Sequence, residues 1–185
     1  MKNLLIGCLA LLIYGCSPKG YSLTQGQHRA PKEFKTKPAE FIANSQNINS
    51  LTELLTPYQG KVVYLDIWAT WCGPCRVEFG YSKELYHFIE GKDIEILYVS
   101  IDKNTKPKKW RNMVQKFELG GHHIMANPQL RKDLIDHFYS GERAGRKMIN
   151  LPTFVIVDKN NRIVEYDANR PSDERDLYEQ LSGYL

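Results

Sequence analysis

Two cysteines separated by two residues, Cys72-Gly73-Pro74-Cys75, stand between an apolar run and a stretch of helical spacing, and that placement narrows what the chain can be. The run Val62-Val63-Tyr64-Leu65-Asp66-Ile67-Trp68 is short, β-branched and aromatic, as a buried strand is. After the second cysteine, Phe79, Leu85 and Phe88 take helical spacing. The dithiol is therefore expected at a strand-to-helix junction. Pro74 suits the first turn of the helix, where its missing N–H would have no partner anyway. Cys72 is left beside the free N–H groups and the positive dipole end. That setting favours thiolate, the attacking species in disulfide exchange, over thiol. Cys72 is thus the expected nucleophile, and Cys75, one turn inside the helix, the thiol that resolves the mixed disulfide. The competing readings are a structural disulfide or half of a zinc site. A four-ligand zinc site needs a second Cys or His pair at suitable spacing, and the chain has no second Cys-x-x-Cys.

Asp66 lies six residues before Cys72 in the otherwise apolar run, and period-two alternation puts it on the face shared with Tyr64 and Trp68. A buried carboxylate short of partners has its pKa raised and can take the proton from Cys75 as that thiol attacks. The alternative is an aspartate bonded to backbone at the strand end. Glu78, one turn after Cys75, reads by position alone as an exposed helical glutamate, the commoner case.

The stretch Leu65-Asp66-Ile67-Trp68-Ala69-Thr70-Trp71-Cys72-Gly73-Pro74-Cys75-Arg76, with Glu78 and with Leu151-Pro152-Thr153 before Phe154-Val155-Ile156-Val157-Asp158, resembles the thioredoxin superfamily. Within it, the Trp-Ala-Thr before the motif, Glu78 and a long insertion before Pro152 resemble the TlpA/ResA-like extracytoplasmic thiol–disulfide proteins. The resemblance covers about residues 40 to 185. It implies a thioredoxin fold of the α/β class: a central mixed β-sheet flanked by helices, an N-terminal extension of hairpin and helix, and an insertion before the cis-proline strand. It also implies that Pro152 takes the cis-proline position and that Trp71, Leu151 and Pro152 meet the substrate, Leu151 through backbone hydrogen bonds. Gly73, Pro74 and Glu78 would support the dithiol, Glu78 by tuning the thiols as the equivalent acid does in some ResA-like proteins, and Asp66 matches the general base. At Gly80 many relatives have proline, so the active-site helix is expected to be less kinked, or kinked by glycine.

Residues 1–15 hold one cation, Lys2, and apolar runs up to Gly15-Cys16, which reads as an export signal. Its apolar core is too short for a transmembrane helix of about 20 residues. Ile13-Tyr14-Gly15-Cys16 resembles a lipobox, so Cys16 is the expected lipidation site, with an ordinary signal peptide or an uncleaved anchor as alternatives. Residues 16–39, with Pro18, Gly20, Gly26, Pro31 and Pro38 among polar residues, read as a flexible tether, and 40–185 as one thioredoxin-like domain. A formal net charge of +4 gives no argument for nucleic acid. With Cys8 removed and Cys16 acylated, only Cys72 and Cys75 stay free, and no cofactor beyond their redox-active disulfide is expected. A reductase outside the cytoplasm then needs an upstream electron donor.

Ser50-Leu51-Thr52-Glu53 is a capping-box pattern, which predicts a short helix to about Thr56. Ile94–Asp102 reads as a strand parallel to the first. Lys103, Lys106, Lys108, Lys109 and Arg111 around Trp110 read as a solvated helix start, with a partner- or lipid-binding patch as the alternative. Gly120-Gly121-His122-His123-Ile124-Met125 offers two histidines and a methionine. Adjacent residues in extended chain face opposite sides, so no metal site is assigned and a surface loop entering a short β-segment is expected. Asn127-Pro128 caps a helix expected to end at Gly141. Residues 142–150, with Arg143, Arg146 and Lys147, read either as cations near the disulfide or as an exposed loop. Ser172 is the expected cap of the last helix, with Leu177 and Leu181 inward.

The function expected is a thiol–disulfide oxidoreductase of the cell envelope, lipid-anchored through Cys16 on the periplasmic face with the outer membrane favoured. It would reduce disulfides of exported proteins. The Gly-Pro dipeptide is that of thioredoxin, near about −270 mV, rather than that of strong oxidants near about −120 mV. Rival readings are a disulfide oxidase or isomerase, or a dithiol binding protein for cytochrome c maturation or metal handling.

Overall fold

In a computed structural model, which describes residues 37–103 and 107–185, the apolar run before the cysteines is a strand buried along its whole length. The signal segment, Cys16, most of the tether and Lys106 lie outside the described residues. In chain order the strands are β1 (Ala39–Phe41), β2 (Val62–Trp68), β3 (Ile94–Ser100), β4 (Gly121–Met125), β5 (Gly141–Arg143), β6 (Arg146–Met148), β7 (Thr153–Val157) and β8 (Ile163–Glu165). The helices are α1 (Leu51–Leu55), α2 (Gly73–Glu78), α3 (Ser82–Ile89), α4 (Pro107–Lys116), α5 (Pro128–His137) and α6 (Arg175–Ser182). Six strands form one mixed sheet in the order β1-β4-β3-β2-β7-β8, flanked by the helices, and β5 and β6 form a separate hairpin. The first four strands of that order run parallel, and β7 and β8 are antiparallel to their neighbours. The two seven-residue strands β2 and β3 are thus interior, which is why both read as near-continuous apolar runs.

The capping pattern at Ser50 does form. Its Oγ accepts from the Glu53 N–H at 3.2 Å, while the Glu53 carboxylate accepts from Asn49 N–H at 2.7 Å. Asn127 caps α5 by accepting from Gln129 and Leu130 N–H, and its amide donates to the carbonyls of Gln46 and Ile48. Together with Leu51 N–H donating to Asp133, this ties α5 to α1 and the segment ahead of it. The active-site helix is broken: a 3₁₀ turn over Phe79–Tyr81 separates α2 from α3. A Cβ on Gly80 would meet nothing within 4 Å, so the break does not require a small residue at that point.

Five expectations are corrected. The N-terminal extension contributes no hairpin among the described residues but a single strand, β1, parallel to β4; Lys37 ahead of it pairs with Glu95, so the domain's structure begins before residue 40. Gly120–Met125 does form the expected short β-segment, β4, but not at the surface, because β1 pairs with it on one side and β3 on the other. The glycine pair makes that seam: a Cβ on Gly120 would lie 2.3 Å from the Lys37 carbonyl oxygen, and Gly121, at φ +89°, would bring one to 2.8 Å from that of Ile96. Residues 142–150 are not a plain loop, since most of them build the β5–β6 hairpin, turned by Ala144 and Gly145 at positive φ. α5 ends at His137, and Gly141 instead opens β5. Ser172 does not cap α6. It sits in a 3₁₀ turn over Pro171–Asp173, and α6 begins at Arg175 with Leu177 and Leu181 buried as expected.

Candidate active site

Cys72 is the N-cap of α2 and Cys75 lies in its first turn; the two are joined as a disulfide with Cα atoms 5.4 Å apart. The Cys75 N–H donates to Cys72 Sγ at 3.1 Å, so one of the helix's unpaired amide groups is aimed at the outer sulfur. Both cysteines are buried, Cys75 completely, whereas Trp71 beside them is 66% exposed. The inner sulfur is thus shielded and the outer one lies next to a free apolar platform.

The turn that delivers the cysteines is fixed from the neighbouring strand. Asp102, two residues past the end of β3, accepts from the Thr70 N–H at 2.9 Å, the Thr70 hydroxyl at 2.8 Å and the Ser100 hydroxyl at 2.7 Å. Charge-assisted bonds of this kind are the strong ones, and here they sit in a buried site. The sequence reading passed over Asp102; its signal was an acid closing the apolar run of the second parallel strand, at the sheet end where the cysteines emerge. At the same end β7 starts opposite Ile67, which brings Leu151 and Pro152 to that edge, and the Leu151–Pro152 peptide is cis.

Asp66 occupies the middle of β2, opposite Tyr98 of β3 and Phe154 of β7, and is 2% exposed. Its Oδ1 has no hydrogen-bond partner among the described residues. Burial first, and then the negative charge of Glu78, hold its carboxyl well above the usual carboxylate range. Of the two readings of Glu78, the exposed helical glutamate fails. It is 5% exposed and accepts from the Ser172 N–H at 3.0 Å and the Ser172 hydroxyl at 3.2 Å. The Arg170-Pro171-Ser172-Asp173 segment, with Asp173 accepting from Arg170 N–H, thereby presents two donors to the active-site helix.

The histidines of β4 diverge as alternation requires. His123 is wholly buried, stacked on Tyr98 with ring centroids 4.8 Å apart, and bonded through Nε2 to the Leu119 carbonyl at 3.1 Å; burial lowers its pKa to about 4. His122 turns to the other face, 3.4 Å from both Glu40 and Glu95. The pair does not converge on the dithiol. Among the described residues no cluster of three His, Cys, Asp or Glu has the arrangement of a metal site, and no helix is long and apolar enough to cross a membrane.

Known proteins agree with this geometry. The chain is 27% identical to a thiol-disulfide oxidoreductase ResA of Bacillus cereus, over all of this chain and 96% of that protein. A solution structure of a thiol-disulfide oxidoreductase from Bacteroides vulgatus is 35% identical and superposes with a TM-score of 0.55, covering 70% of this chain and 78% of that one. The fold is shared with a thiol:disulfide interchange protein DsbE from Chlorobium tepidum, at 23% identity and a TM-score of 0.55, over 70% of this chain and 84% of that one. A family model described as Redoxin matches residues 29–181. With a dithiol capping the helix after the central strand, and with sequence and fold matched over most of its length, the chain belongs to the Redoxin family and is a thioredoxin-like thiol–disulfide oxidoreductase.

Proposed function

We propose that this oxidoreductase works as a reductase of disulfides in exported proteins, held at the cell envelope by lipid on Cys16 and recharged by a membrane electron donor. The observation that carries the mechanism is the buried Asp66 carboxyl, whose Oδ1 has no hydrogen-bond partner among the described residues, in the strand that leads to the dithiol. In the reduced protein the Cys72 thiolate attacks one sulfur of a partner disulfide; a Cys72–partner bond forms and the other partner sulfur leaves as thiolate. Cys75 then gives its proton to Asp66 and attacks Cys72 Sγ. The mixed disulfide breaks, the second partner sulfur leaves, and the proton passes on to solvent. The partner gains two electrons and the protein ends with Cys72 joined to Cys75, the state seen in the structure. The Gly73-Pro74 dipeptide supports the reducing direction, and the apolar N-terminal run ending at Cys16 supports export.

The test is a trap. Cys75→Ala keeps the first step and removes the second, so partners should stay bound through Cys72 and be released from purified envelope complexes by reductant. A varied set of proteins with paired cysteines is the expected result, together with a potential below about −230 mV against glutathione. Trapping by Cys72→Ala instead would reverse the roles, and a potential near that of a strong oxidant would overturn the direction.

A further inference from the structure

Trp71, the exposed residue next to Cys72 in the chain, lines a cleft of about 490 Å³. Its apolar wall is Trp71, Ile135, Met148 and Ile149, so the platform beside Cys72, helix α5 and the β5–β6 hairpin meet in one groove. Lys103, Arg131 and Lys147 also line it. A second cleft of about 370 Å³ shares those three cations and adds Lys132 and Arg146. The acids are few. Asp102 is buried with its carboxylate turned to Thr70 and Ser100, and Asp136 is held between Lys132 at 2.7 Å and Lys147 at 3.0 Å. No acid among the described residues pairs with Lys103, Arg131 or Arg146. An apolar trough that starts at Trp71, the neighbour of Cys72, and continues past Lys103, Arg131 and Arg146 is complementary to chain of the opposite sign.

We infer that this groove docks an extended, acidic segment of the partner protein next to its reducible disulfide, with an apolar side chain against Trp71 and Met148 and carboxylates against Lys103, Arg131 and Arg146. The inference rests on the reductase reading and names its substrate class. The β5–β6 hairpin is then a specificity element, because it supplies Met148, Lys147 and Arg146 to the walls. Complementary charge acts mainly on encounter and choice of partner, so the preference should fade with salt.

The experiment uses the full reduced chain and two synthetic peptides that carry the same intramolecular disulfide, one flanked by Asp and Glu and the other by Lys. At low salt the acidic peptide should be reduced about tenfold faster or more, and the gap should close at about 0.5 M salt. The double variant Lys103→Glu, Arg131→Glu should invert the ratio, and Arg146→Glu alone should diminish it. The ratio is read within each protein, so a general loss of activity cannot imitate the result. Binding of a disulfide-free acidic peptide, followed by tryptophan fluorescence, should show the same salt dependence. Equal rates for the two peptides overturn the groove assignment while leaving reduction standing; failure to reduce either overturns both. Peptide binding that weakens as protein concentration rises would give the groove to a second copy of the chain and overturn the inference.

Discussion

Asp66 and Asp102 are the same residue in nearly the same degree of burial, 2% and 3% exposed, on neighbouring parallel segments, and they do opposite things. Asp102 is met by a backbone N–H and two hydroxyls, all donating, and so fixes the turn that carries the cysteines. Asp66 sits between apolar strands with Oδ1 unmet and has its affinity for a proton raised. Burial alone therefore says little about a carboxylate. The supply of donors decides whether it is held as an acceptor in a fixed turn or has its affinity for a proton raised.

The comparison can be broken at the clamp first. Asp102→Ala leaves the Thr70 and Ser100 donors without their acceptor in a buried site and should cost roughly 3 kcal/mol or more in urea unfolding, with Asp102→Asn costing less. A loss below about 1 kcal/mol would remove Asp102 from its role.

At the other carboxylate the sign reverses. Asp66→Asn should slow the resolving step at neutral pH by about 10²-fold while sparing attack by Cys72. The same variant should be more stable than the parent. A carboxyl whose pKa is raised on folding favours the native state when protonated, so its contribution is fully present below the unfolded pKa of about 3.9 and is lost as pH rises through the folded value. The stability gained by Asp66→Asn should thus be small near pH 4 and grow with pH, by about 1.4 kcal/mol for each unit of the shift. Equal slowing of both steps, or a pH-independent gain, would make Asp66 structural.

The finest test separates the two causes acting on Asp66. Glu78→Gln keeps one acceptor oxygen for the Ser172 N–H, lets its amide donate to the Ser172 Oγ and removes the negative charge, so the midpoint of the resolving step should move to lower pH by about one unit or less. An unmoved midpoint would assign the whole shift to burial.

What could be read from the sequence was local. The strand, the capped dithiol and the burial of Asp66 follow from residue type and alternation within some fifteen positions. The burial of Glu78 was not legible because its partner, Ser172, is 94 residues away, and a helical glutamate carries no local mark of such a partner. The interior placement of β4 was hidden by His122 and His123, since a neutral histidine stacked on Tyr98 is spelled like an exposed one. The β5–β6 hairpin escaped notice because its strands are three residues each and mostly charged. Glu78 and β4 were missed because their partners come from elsewhere in the chain, whereas the hairpin, which pairs with itself, was missed because its strands carry no apolar alternation.

The lengths of the sheet's outer strands bear on self-association. Both outer strands, β1 and β8, are only three residues long, whereas the seven-residue strands lie inside. Pro38 precedes β1 and has no N–H to offer a further strand. A second chain seeking to extend the sheet finds few open backbone groups in register, so the folded domain gives poor purchase for edge-to-edge aggregation. The long apolar segments that would pair most readily, Val62–Trp68 and Ile94–Ser100, become available only when the domain opens.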